Sequence, residues 1–131
     1  PGERVVTIRP TVAVVGASRD RGKFGNISVR AHLQQGYEVF PVNPHADEVE
    51  GLPAFESLSD VPANNLDRVS VYLPPDLTLD LLNEIEDVEP TEVWLNPGSS
   101  DENVRSRAAQ LGIEIIEACS IVDLGVSPHA V

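Results

Sequence analysis

Only one cysteine, Cys119, occurs in the 131 residues, so the chain can form neither an internal disulfide nor a metal cluster built on several thiolates. Its neighbours Ile115, Ile116, Ala118 and Ile121 are apolar, and the expectation is a buried structural thiol rather than a reactive one. Long apolar runs are missing as well. No stretch approaches the roughly eighteen residues that a membrane-spanning helix needs, and the N-terminus shows no signal-peptide pattern, so a soluble, cytoplasmic protein is expected. Basic residues are scarce: nine Lys and Arg stand against twenty-one Asp and Glu, a net charge of −12 that repels DNA, RNA and anionic membranes. Abundant carboxylates beside a single lysine also suggest a halophilic-type composition, in which an acidic surface stays hydrated in concentrated salt.

Against that background the segment Val12–Gly25 stands out. Val12 to Val15 are four consecutive apolar residues, the pattern of a strand buried on both faces, and they run into a loop with Gly16, Gly22 and Gly25 before a helical pattern begins. Glycine lets a backbone approach an anion closely, and the first turn of a helix offers unpaired N–H groups and the positive end of a dipole. Arg19, Arg21 and Lys23, the sole lysine, all fall in this one loop. The layout is that of a phosphate cradle.

The rest of the chain alternates strand and helix. Ile27 and Ala31 repeat at helical spacing after the cap candidate Asn26, with Gly36 as the stop; Tyr37–Val42 reads as strand two, Val69–Leu73 as strand three, Val93–Leu95 as strand four and Ile113–Ile116 as strand five. Asp76 is a candidate cap for a helix carrying Leu77, Leu81, Ile85 and Val88 on one face, and Ser99 with Glu102 forms a capping-box pattern before Val104, Ala108 and Leu111. Length and pattern indicate one domain, 1–131, with its core at about 10–122 and terminal arms on either side. The expected class is α/β: an open parallel five-stranded sheet in the order 3-2-1-4-5 with helices on both faces. In such sheets ligands bind at the carboxyl ends of the strands where the winding reverses, here expected between strands one and four. That rule selects Gly16–Gly25, Asn43–His45, Pro74–Asp76, Asn96–Ser99 and the region around Cys119.

The G-x-G-x-x-G fingerprint of dinucleotide-binding folds is not met, and Val42-Asn43-Pro44 supplies no acid where an NAD-binding protein holds its ribose diol. No G-x-x-x-x-G-K-[ST] motif is present either.

Taken together, Val14-Val15-Gly16-Ala17-Ser18, Gly36-Tyr37, Pro41-Val42-Asn43-Pro44, Gly51 with Ser57-Leu58 and Asp60-Val61-Pro62, Pro74-Pro75, and Trp94-Leu95-x-Pro97-Gly98 resemble the small stand-alone CoA-binding proteins. These are similar to the N-terminal CoA-binding domain of the succinyl-CoA synthetase alpha subunit. The resemblance implies a Rossmann-like domain holding coenzyme A or an acyl-CoA. The loop Gly16, Ala17, Ser18, Arg19, Asp20, Arg21, Lys23 and Gly25 would take phosphate, and the turns Asn43-Pro44-His45, Pro74-Pro75 and Asn96-Pro97-Gly98 would shape the rest of the cleft. The synthetase domain has a lysine shortly after the strand-two proline where this chain has His45 and Ala46. The further domain that carries the synthetase's phosphorylated histidine has no counterpart in these residues; His32 reads as a helix-surface residue and His129 as part of the C-terminal arm.

No nucleophile paired with a base, no metal cluster and no catalytic carboxylate pair is visible, so the expected function is binding without autonomous catalysis, as a regulatory or carrier module. The alternatives are an NAD(P)-binding oxidoreductase-type domain and an interaction module with a vestigial nucleotide pocket. A small-molecule CoA ligand is the expected partner, with room for a protein partner or a homo-oligomer and none for a metal. If the composition is a salt adaptation, thermal unfolding in molar KCl will have a higher midpoint than in low salt; an unchanged midpoint argues against it.

Overall fold

Thr-Val-Ala-Val-Val and Arg-Val-Ser-Val become the two central strands of a parallel sheet because their residues suit burial on both sides. The computed structural model describes residues 8–131. In chain order the elements are β1 (Thr11–Val15), α1 (Phe24–Gln34), β2 (Glu38–Val42), β3 (Glu48–Val49), β4 (Leu52–Pro53), β5 (Arg68–Val71), α2 (Pro75–Val88), β6 (Glu92–Leu95), α3 (Glu102–Leu111) and α4 (Ser120–Asp123), with a 3-10 turn at Leu58–Asp60. The sheet runs β2-β1-β5-β6, with Val12 opposite Val39 on one side and Arg68 on the other. β3 and β4 form a separate antiparallel hairpin.

Alternation along the strands sends side chains to two faces. Ala13, Val15, Val69, Val71, Val93 and Leu95 meet Leu81, Leu82 and Ile85 of α2 and Val104 and Ala108 of α3 in one apolar core. Leu82 is fully buried there, a contribution of about 2 kcal/mol from transfer out of water. Val12 and Val14 face the other way, toward Val29 of α1, with Val39 and Val49 beside them. No helix among the described residues is long and apolar enough to cross a membrane.

The expected order 3-2-1-4-5 is corrected. The strand at Val69–Leu73 lies between β1 and β6, not outside β2. The chain between β2 and β5 holds only the β3–β4 hairpin and the 3-10 turn, and it crosses from one side of β1 to the other without a helix. The place beyond β2 is taken by Phe55, which bridges Val42 in parallel. The expected fifth strand, Ile113–Ile116, is reduced to a parallel bridge between Ile116 and Trp94.

Helix starts also differ. Lys23, not Asn26, is the residue before α1, because the Asn26 amide points inward to the Ser18 carbonyl. Pro75 occupies the first position of α2, with Asp76 in the first turn rather than at the cap. Asp101 caps α3 by accepting from the Val104 N–H at 2.9 Å, while the Ser99 hydroxyl donates to the Asn96 carbonyl. The expected N-terminal arm falls partly on residues 1–7, outside the described residues. At the other end α4 packs on α1, and the Val131 main-chain oxygen accepts from Arg30 at 2.8 Å.

The α1–α4 face of the sheet carries polar groups. Arg68 is only 5% exposed and reaches both Glu92, at 3.1 Å, and Asp123 of α4, at 2.8 Å. Its guanidinium lies 4.7 Å from the centre of the Trp94 ring and 5.6 Å from that of Tyr37. His32, expected on a helix surface, is fully buried. Its Nδ1–H donates to the Ser28 carbonyl at 2.8 Å and its ring meets Tyr37 edge-on, and Nε2 has no hydrogen-bond partner among the described residues. Burial, first, and the positive charge of Arg68 outweigh the Ser28 bond and lower its pKa from 6.5 to about 4.

The unfolded chain therefore takes up a proton at His32 near pH 6.5 and the folded chain only near 4. The stability gained by keeping the ring neutral is fully present above pH 6.5 and declines as pH falls toward 4, by about 3 kcal/mol in all. Urea unfolding of the parent and of His32→Gln across this window should show a steeper loss in the parent; identical slopes would exclude His32 as the source.

Candidate functional site

The winding of the sheet reverses between β1 and β5, one strand nearer than the expected position between strands one and four. At this point Gly16 leaves β1 with φ +88°, in the left-handed region, and its N–H and that of Ala17 both donate to the Val42 carbonyl. The turn is packed on two sides by backbone. A Cβ at Gly16 would lie 2.8 Å from the Tyr72 carbonyl oxygen, and one at Gly25 would lie 2.1 Å from the Gly16 carbonyl oxygen. Gly25 thus allows α1 to begin directly against the end of β1.

Side chains hold the loop from behind. The Asn26 amide donates to the Ser18 carbonyl and the Asn43 amide to the Ala17 carbonyl, each at 2.8 Å. The Ser18 hydroxyl accepts from the Asp20 N–H, and the Asp20 carboxylate accepts from the Gly22 N–H, a turn closed by its own aspartate. With its curvature so fixed, the loop exposes Arg19, Arg21 and Lys23 to solvent.

Two connected cavities open over the carboxyl ends of the strands. The larger, about 500 Å³, includes Ala17, Ser18, Asn43, Pro44 and His45 in its walls, an apolar lining from Val15, Val42, Leu58, Leu73, Leu77 and Leu81, and Glu56, Asp80 and Glu84 on the far side. The smaller, about 290 Å³, runs past Phe24, Gly25, Pro74, Pro97, Gly98 and Ser99. Gly16, Lys23, Tyr72 and Leu73 border both. A third concavity, about 410 Å³, lies at the opposite end of the sheet between α2 and α3; Glu86, Glu89 and Glu114 line it without a basic residue.

Several residues selected from sequence do not line the cleft. Arg19, Asp20 and Arg21 are exposed on the loop beside it and line neither cavity, and Arg21 Nε lies 3.6 Å from the Glu50 carboxylate. Pro75 is built into the start of α2. Asn96 is buried and its capacity is spent inside the protein: its amide donates to the Ser70 hydroxyl and the Val71 carbonyl, and its oxygen accepts from the N–H and hydroxyl of Ser120. The Tyr72 phenol also bonds Ser120, at 3.1 Å, and burial raises its pKa, so it stays protonated at neutral pH. Cys119, expected to be buried, is half-buried just before α4. Tyr72, Leu73 and Leu77 were missed; the misplaced third strand concealed the first two, and an exposed apolar residue at a helix start, such as Leu77, carries no distinctive signal.

An open parallel sheet with helices on both faces and a glycine-hinged loop at its reversal point defines a Rossmann-like α/β domain. The model of the family described as CoA binding domain matches residues 10–125, and the chain belongs to that family. It is 31% identical over 108 residues to acetate–CoA ligase [ADP-forming] I of Archaeoglobus fulgidus, covering 81% of this chain and 15% of the ligase. Across the curated ADP-forming acetate–CoA ligases that it matches, the chain spans only 10 to 15% of the relative's length. A solved conserved hypothetical protein from Pyrococcus furiosus superposes with a TM-score of 0.78 at 32% identity, covering 88% of this chain and 99% of that one. The dinucleotide-forming acetyl-coenzyme A synthetase 1 of Ca. Korarchaeum cryptofilum, solved with phosphate and ADP, superposes with a TM-score of 0.70 at 28% identity, covering 82% of this chain and 25% of that one.

Because backbone rather than a movable side chain faces Gly25, Gly25→Ala should destabilise the fold by about 3 kcal/mol. Gly22→Ala, whose added Cβ meets only the Asp20 carboxylate at 3.4 Å, should cost well under half of that. Equal denaturation midpoints for the two variants would contradict this account of the turn.

Proposed function

We propose that this chain binds coenzyme A or an acyl-CoA in the cleft over β1 and β5, as a carrier or regulatory module with no chemistry of its own. The observation that carries the reading is the polarity of the cleft. Lys23 borders it and Arg19 and Arg21 flank it on the loop side, while the wall away from the loop is apolar and then acidic at Glu56, Asp80 and Glu84. A ligand with phosphates at one end and neutral, partly apolar groups beyond them matches this gradient.

Membership of the CoA-binding family supports the reading, as do relatives named for CoA ligation. The matches lend no support to a pyridine-nucleotide oxidoreductase. Asn43, at the end of β2, is engaged with the Ala17 carbonyl and the His45 N–H, so it offers no carboxylate to a ribose diol. On the reaction side, the Ser18 and Ser99 hydroxyls serve the loop and the Asn96 turn, and among the described residues neither is hydrogen-bonded to a histidine or carboxylate.

CoA carries a 3′-phosphate beside its diphosphate, whereas NAD carries the diphosphate alone. Calorimetry should rank CoA above dephospho-CoA and both above NAD, with gaps that narrow as salt rises. Replacing Arg19, Arg21 and Lys23 together by alanine should weaken CoA binding at least about tenfold, since charge-assisted contacts are each worth about 1.5–3 kcal/mol when well formed. NAD binding tighter than CoA, or a triple variant equal to the parent, would overturn the assignment.

A further inference from the structure

The β3–β4 hairpin turns on Glu50 and Gly51, both with positive φ, +50° and +76°. A two-residue turn of this kind favours Asn, Asp or Gly at its first position, because a longer side chain with a Cβ is strained there. Glu50 nevertheless occupies it, and its carboxylate is engaged. One oxygen accepts from the Asn26 amide at 3.2 Å and the other lies 3.6 Å from Arg21 Nε. Asn26 is fully buried, and the same amide donates to the Ser18 carbonyl of the glycine loop. Arg30 completes the cluster, donating to Asn26 and to the Arg21 carbonyl, each at 2.8 Å.

We infer that Glu50 is a built-in counter-ion of the loop, a carboxylate that occupies Arg21 and must yield it to an incoming phosphate. This rests on the reading of the loop as a phosphate cradle. A single carboxylate at 3.6 Å from a largely exposed guanidinium is a weak competitor. A diphosphate displaces it readily, whereas a singly charged anion gains little from the exchange. Glu50 thereby selects for ligands of high charge and keeps the cradle from holding small monoanions.

The test is calorimetry of the parent, Glu50→Gln and Glu50→Asn with CoA and, separately, with inorganic pyrophosphate and acetate at low salt. Gln keeps an acceptor for Asn26, and Asn suits the turn, so a folding defect in one variant does not remove the other. Both variants should bind CoA and pyrophosphate about three- to tenfold more tightly than the parent, and the gain should shrink in high salt. In an Arg21→Ala background the same changes should alter affinity by less than about twofold, a dependence that a purely structural role of Glu50 would not produce. Acetate should gain measurable binding only in the variants.

CoA bound equally by parent and variants would overturn the counter-ion role while leaving the CoA reading intact. Tighter pyrophosphate binding by the variants, with no CoA binding by any of the proteins, would overturn the CoA reading and uphold the counter-ion. No binding of either phosphate ligand by any of the proteins would overturn both.

Discussion

The contact on which the rest of this molecule depends is one of backbone against backbone. The carbonyl of Gly16 lies where a Cβ of residue 25 would sit, and the carbonyl of Tyr72 presses on Gly16 from the other strand. Since neither neighbour is the end of a flexible side chain, nothing can give way, and the spacing of β1, β5 and the start of α1 is set by the absence of two methyl groups. The loop between Gly16 and Gly25 inherits its curvature from these two contacts. Its basic side chains flank the cleft because its ends are pinned.

The two faces of the sheet are covered in different ways. Toward α2 and α3 the packing is aliphatic and nondirectional. Toward α1 and α4 the sheet presents Arg68, Ser70 and Trp94, and these meet groups far away in the chain: Asp123 and Ser120 from α4, and the ring of Tyr37. Buried polar pairs of this kind add less to stability than their number suggests, but each accepts one geometry. They specify where the C-terminal segment lies.

Periodicity made most elements legible, and their boundaries moved by only a few residues, because β1, β2, β5, β6 and the faces of α2 and α3 bury the residues that their spacing marks out. Strand order was not legible. It depends on which side of β1 the helix-free connection from β2 returns to, and residues 43–67 have punctuation that fits either path. His32 was misread for a related reason: a polar residue on a helix looks solvent-facing until the opposing surface, here Tyr37 and Arg68, is known to be polar as well. At the cleft the glycine loop was readable from its composition. The commitment of Asn96 to Ser70 and Ser120 was not, since it arises between segments 24 to 26 residues apart. The pairing of Arg21 with Glu50 was hidden by the hairpin that brings them together.

The margins of the sheet have a consequence for how the molecule behaves among its own copies. Parallel sheets with bare outer strands offer a row of unpaired amides and carbonyls to any extended segment that drifts past. Here each margin is closed by a short contact and then abandoned. Phe55 donates to Pro41 and accepts from Asn43 beside β2, Ile116 donates to Val93 and accepts from Leu95 beside β6, and the chain turns away immediately after each. A strand arriving from another molecule finds these amides and carbonyls already engaged, and at Pro41 no N–H to receive it. Fibrillar growth through these two margins is thereby discouraged at little cost in chain length.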